Sequence, residues 1–131
     1  MEGYICKIAN CSKQLKAAER IKIKDLSNAI ALDTAVTDDT PLLITPDFYA
    51  ELDVHNEKSK DKDYKKYVIV DTAGNKYTTG SESFWSAFKD IATEMAEAVE
   101  AGEEAEVYSI EVYRLPSKNY QGKSFLTCSL A

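Results

Sequence analysis

The stretch that most constrains the fold runs from Lys65 to Thr79, Lys-Lys-Tyr-Val-Ile-Val-Asp-Thr-Ala-Gly-Asn-Lys-Tyr-Thr-Thr. Its β-branched and aromatic core, Tyr67 to Val70, favours a strand, because branched side chains fit a pleated surface. Gly74-Asn75 offers the positive-φ positions of a tight turn, and Lys76 to Thr79 is then the returning strand. A helical pattern follows at once. From Ser81 to Ala101, Phe84, Phe88, Ile91, Met95 and Val99 recur at helical spacing, with Ser81 or Ser83 available as the cap and Gly102 as the stop. Trp85 borders that stripe and is expected at the edge of the core. The rest of the chain has to pack on this hairpin and this helix.

Upstream, Arg20 to Leu26 alternates, with Ile21 and Ile23 on one side and lysines on the other, and reads as a half-buried strand. Phe48 to His55 alternates too: Phe48, Ala50, Leu52 and Val54 share one face, Tyr49, Glu51, Asp53 and His55 the other. Between these two segments lies a long connection with a short strand in Leu42 to Thr45, and Asn56 to Asp63 is a charged loop that projects into solvent. Downstream, Glu106 to Leu115 points Tyr108, Ile110 and Val112 inward, and Ser124 to Leu130 points Leu126, Cys128 and Leu130 inward. A symmetric loop from Pro116 to Lys123 makes Tyr113 and Phe125 cross-strand neighbours on the outer face. Near the start, Tyr4 to Ile8 reads as a strand and Ser12 to Arg20 as a helical turn or a basic arm. The order predicts an OB-fold: a five-stranded Greek-key barrel with one helix between its third and fourth strands, as a single domain over residues 1–131 in which residues 1–19 form an N-terminal strand or arm.

The chain has 131 residues, 44% of them hydrophobic, which is enough to bury a core. No apolar run approaches the roughly 20 residues of a membrane span, so no membrane association and a cytoplasmic location are expected. Cys6, Cys11 and Cys128 are an odd number with no paired framework, and His55, the single imidazole, leaves a zinc site short of ligands. They are read as reduced thiols, with no metal and no cofactor. The net charge is −6 but it is segregated. Leu26 to Glu57 has seven acids and no base, and Ser81 to Glu106 has eight acids against one lysine; Lys58 to Gly80 has six lysines against three aspartates. A basic groove on a net acidic protein is compatible with that pattern.

Catalytic signatures are missing. There is no phosphate-cradling glycine loop, no nucleophile elbow and no partner set for His55, while Asp38-Asp39 and Glu103-Glu104 read as solvated acids. An enzyme is not expected. Binding chemistry is better represented, since an OB barrel offers its second and third strands and two of its loops to oligonucleotides. Tyr49, Tyr64, Tyr67, Tyr77 and Tyr120 fall on those elements, flanked by Lys65, Lys66, Lys76, Lys118 and Lys123. Tyrosine rings stack on bases and lysines neutralise phosphates.

From about Tyr49 onward the chain resembles the small single-stranded DNA-binding proteins of phages of Gram-positive bacteria, including those of protein-primed replication systems. The resemblance rests on Asp71-Thr72-Ala73-Gly74-Asn75-Lys76-Tyr77, the serine-led helix Ser81 to Glu100, the strand Val107 to Tyr113, Pro116-Ser117-Lys118-Asn119 with Gly122-Lys123, and Phe125-Leu126-Thr127-Cys128-Ser129-Leu130. It implies non-specific binding of single-stranded DNA during phage or mobile-element replication or recombination. It carries the family's DNA-contacting tyrosines to Tyr77 and Tyr49; a third falls near Lys58, where Tyr64 is the nearest substitute. Two alternatives stand beside it. One is an assembly module of a replication complex that docks replication or recombination proteins through its acidic surface; the other is an RNA-binding barrel.

Overall fold

The computed structural model describes residues 3–103, 107–117 and 122–131. In chain order the elements are β1 (Tyr4–Cys11), α1 (Ala17–Lys24), β2 (Ile30–Ala31), α2 (Leu32–Ala35), β3 (Leu42–Ile44), β4 (Pro46–Asn56), β5 (Asp63–Asp71), β6 (Lys76–Thr79), α3 (Glu82–Glu100), β7 (Ile110–Pro116) and β8 (Ser124–Leu130). The protein is therefore β-rich with a few helices, and its long helix sits where the sequence predicts, after the β5–β6 hairpin. The strands form two sheets, β1-β4-β5-β6-β2 and β3-β7-β8, and not a closed barrel. Hydrogen bonds to β3 and β8 occupy both edges of β7, so β7 has no edge left for closure.

The contacts divide the chain into two compact units. The first, residues 1–31 and 47–80, holds the five-stranded sheet and α1. Its core joins Leu15 and Ile23 to Ala50, Leu52, Val54 and Val68, with Cys6, Ile8, Phe48, Tyr64 and Val70 around it. The even-numbered face of β4 is thus the buried one, as its alternation predicts. The second unit, residues 32–46 and 81–131, holds the three-stranded sheet and α3. The Ser81 hydroxyl caps α3 by accepting the Phe84 amide at 3.2 Å, and the Ser83 hydroxyl donates to the Leu126 carbonyl of β8 at 3.0 Å. Phe84, Phe88 and Trp85 are buried and in mutual contact, with the Trp85 and Phe88 rings 5.1 Å apart. Arg114 donates to the carbonyls of Asp33 and Val36 at 2.7 and 2.8 Å, tying β7 to the end of α2.

The largest departure from expectation is Arg20 to Leu26, which is mostly helix α1 and not a strand. Four residues of Ile-Lys-Ile-Lys fit either periodicity, and tertiary burial decides between them. Ile23 goes into the core at 2% exposure, in line with Leu15 and Leu26, while Ile21 is left 68% exposed. Glu19 accepts the Lys16 amide at the helix start, and Lys22 and Lys24 occupy the last turn, where a helix favours cations. Two smaller corrections concern β8. Tyr113 pairs with Thr127, and Phe125 with Leu115, a two-residue shift that preserves the faces; Leu130 is 53% exposed, because the strand's end runs past the core.

The helical assignment has a mutational signature. Ile23→Ala should cost about 2–5 kcal/mol of unfolding free energy in urea titrations, and Ile21→Ala should stay within about 0.5 kcal/mol of the parent. Equal losses at the two positions would point back to a strand.

Candidate nucleic-acid interface

The β5–β6 turn is built on one carboxylate. Asp71 Oδ1 accepts the amides of Ala73 (3.0 Å) and Asn75 (2.8 Å), and Oδ2 accepts the Asn75 side-chain amide and the Tyr77 hydroxyl, both at 3.1 Å. The Gly74 amide closes onto the Asp71 carbonyl at 3.0 Å, and Gly74 takes φ +89°, the left-handed position that ends a three-residue hairpin loop. Of the two expected positive-φ residues only Gly74 is one; Asn75 contributes its side chain instead. Burial pushes the Asp71 carboxyl up, but the hydrogen bonds from Asn75, Tyr77 and Ala73 outweigh it and hold the group below the usual carboxylate range.

That arrangement removes Tyr77 from the expected stacking surface. Its ring is buried at 7% exposure, and its hydroxyl, pushed up first by burial and then by Asp71, belongs to the turn. Tyr67 is likewise buried, at 3%, because β5 is covered on both faces at Tyr67, Val68 and Ile69. Lys76 is also committed: its Nζ donates to the carbonyls of Lys22 and Asp25, satisfying the C-terminal end of α1. Three of the expected ligand contacts therefore serve the fold, for the same reason. A residue on a central strand or at a turn finds protein partners before it finds solvent.

The remaining expected residues are more open. Tyr49 on β4 is half-buried, and its main chain is bridged to Ser12, whose amide donates to the Tyr49 carbonyl at 2.9 Å. Tyr64 and Lys66 are half-buried and Lys65 is exposed, all on β5. Lys123 is exposed beside β8. Lys118 and Tyr120 lie outside the described residues, as do Glu104 and Glu106.

Tyr64 and Lys65 line an open groove of about 550 Å³ with Ile5, Lys7, Asp53, Val54, His55 and Asp63. Lys65 is ion-paired to Asp53 at 2.9 Å with both side chains about half exposed. His55 is held from two sides: Nδ1 lies 2.7 Å from Asp63 and Nε2 2.6 Å from Glu57, which also pairs with Lys62 at 3.1 Å. Both ring nitrogens can donate only in the imidazolium form, so Asp63 first and Glu57 second raise the His55 pKa above its ordinary value. The sequence reading did not nominate the β1 residues Ile5 and Lys7; the available signal was the alternation of Tyr4 to Ile8, which places odd positions together on one face. The described residues contain no group of three or more His, Cys, Asp or Glu side chains placed to hold a metal ion. Burial pushes the Cys128 thiol up to about 12 and raises Cys6, so neither is a thiolate at neutral pH.

Two pH effects of opposite sign follow. The Asp71 carboxyl is depressed in the folded state, so its contribution is complete above the unfolded carboxylate value and is lost as pH falls through the lower folded value. Tyr77→Phe should cost about 0.5–1.5 kcal/mol and Asp71→Ala more, about 1–3 kcal/mol, with Asp71→Ala also flattening the acid limb of stability against pH. His55 is raised, so its contribution is complete below its unfolded value and is lost as pH climbs through the folded one. An NMR titration should place the His55 midpoint above that of a model imidazole, and Asp63→Asn should bring it down; a midpoint that does not move with Asp63→Asn contradicts the pairing.

Compared with protein-family models, with curated proteins and with solved structures, the chain matches none of them.

Proposed function

We propose that this chain is a non-catalytic protein that binds single-stranded DNA without sequence preference, in DNA replication or recombination of a phage or mobile element. The observation that supports the reading best is the open groove that Lys7 and Lys65 line together with Tyr64, a half-buried ring that also packs against the core. A tyrosine face and neighbouring lysines are the two elements that sequence-tolerant strand binding needs: stacking of about 1–3 kcal/mol per base, and phosphate neutralisation. Tyr49 and Lys66, both half-buried, lie on the same two strands, β4 and β5. The strands β1, β4 and β5, the helix α3 and the hairpin β7–β8 follow the chain order of an OB-fold, here as an open arrangement.

A protein-docking role is the second reading, favoured by α3. Glu82, Asp90, Glu94, Glu97 and Glu100 are all exposed on that helix, a surface suited to a basic partner. No helix of the described residues is long and apolar enough to cross a membrane.

Titration with labelled oligo-dT, duplex DNA and oligo-U separates the readings. Binding to oligo-dT should weaken steeply with salt and exceed binding to duplex; preference for oligo-U turns the reading to RNA, and no binding to any of them at low salt defeats it. Tyr64→Ala should weaken oligo-dT binding by about 5- to 100-fold, the equivalent of one lost stack. Lys65→Ala should reduce the salt slope by about 0.7.

A further inference from the structure

The five-stranded sheet ends on β1, and among the described residues no strand pairs with its outer edge. The Glu57 amide donates to the Gly3 carbonyl at 2.7 Å, and the register runs Tyr4 to Asn56, Ile5 to His55, Cys6 to Val54 and Lys7 to Asp53. Antiparallel ladders alternate bonded and non-bonded pairs, so Ile5 and Lys7 turn their main-chain groups toward β4 while Tyr4, Cys6 and Ile8 turn theirs outward. Among the described residues no hydrogen bond meets those outward groups. The irregularity between Ile8 and Asn10 ends the flat part of the edge. The other sheet edges are protected. β2 has two residues, β3 has three between Pro41 and Pro46, and on β8 the Leu126 carbonyl is taken by Ser83.

We propose that β1 pairs antiparallel with β1 of a second copy of this chain, about a two-fold axis through Cys6. Only residues with outward main-chain groups can bond across such a seam, and the register centred on Cys6 is the one that uses Tyr4, Cys6 and Ile8 of both copies. It sets Tyr4 opposite Ile8 of the second copy, an aromatic against a β-branched side chain. It also sets Ile5 opposite Lys7 of the second copy. Lys7 is the one charged residue between Tyr4 and Cys11, so this register places no like charges face to face. Tyr4 and Ile5, apolar side chains exposed at 37% and 53%, would gain neighbours. The pairing joins two five-stranded sheets into one and keeps corresponding faces on the same side. It rests on the main-chain edge of β1 and needs no nucleic acid, although Ile5 and Lys7 also line the groove.

The test is sedimentation equilibrium of the full chain across a concentration series, for the parent, Ile5→Lys and Ile5→Glu. Both variants remove the same exposed isoleucine, so they control for each other's effect on folding, which circular dichroism checks. The parent should show a monomer–dimer equilibrium. Ile5→Lys, facing Lys7 of the second copy twice by symmetry, should associate at least about tenfold more weakly than Ile5→Glu, which faces the same lysines with opposite charge. A parent that stays monomeric up to about 100 μM, or two variants that associate equally, overturns the pairing.

Discussion

Tyr67, Val68 and Ile69 are consecutive and all buried, a state a strand reaches only when both of its faces are covered. One face of β5 closes on the core that Leu15 and Ile23 share with the even-numbered side of β4, and Tyr67 and Ile69 occupy the opposite face. The hairpin into β6 is held by the Asp71 carboxylate, which gathers four donors at the turn. A buried carboxylate is tolerated when its lone pairs are satisfied, and here the donors come from its own turn and the returning strand. Without that turn, β6 would not be delivered alongside β5, and Lys76 would not reach the end of α1.

The same economy explains which polar residues are left for a ligand. Lysines and tyrosines near the centre of the sheet are used internally: Lys76 on helix carbonyls, Tyr77 on Asp71, Tyr67 in the core. At the sheet's other end Lys7 and the Asp53-paired Lys65 are exposed and Tyr64 is half-buried against the core, and they share the groove with Asp53, Asp63 and Glu57-bound His55. Exposed pairs of this kind contribute little to stability and exchange readily with a polyanion. The groove is thus of mixed charge, and a bound phosphate would have to displace acids from their lysines.

Much of the fold was legible. The β5–β6 hairpin, the helix with its Ser81 cap, the buried face of β4 and the short strand at Leu42 all follow from periodicity and turn chemistry, because those signals are local. The misread segment, Arg20 to Leu26, shows the limit. Its alternation is only four residues long, and the choice between helix and strand fell to Ile23, whose core partners Ala50, Leu52, Val54 and Val68 lie on strands far along the chain. The candidate site reads in the sequence as residue types more than as placement. The tyrosines and lysines named from sequence on strands, Tyr49, Tyr64, Lys65, Lys66, Tyr67, Lys76 and Tyr77, lie on β4, β5 and β6, yet which of them face solvent depends on coverage of both sheet faces, and no window of sequence contains that.

By itself the sequence determined the strand-rich character, the position of the long helix, the turn at Gly74 and the segregation of charge, since each depends on neighbouring residues and their backbone preferences. The tertiary structure decided that α1 is a helix, that Tyr67 and Tyr77 are interior, that Lys76 caps α1, and that β3 occupies the edge of β7 a barrel would need. Each of those outcomes joins groups far apart in the chain, where burial and hydrogen-bond satisfaction outweigh local propensity.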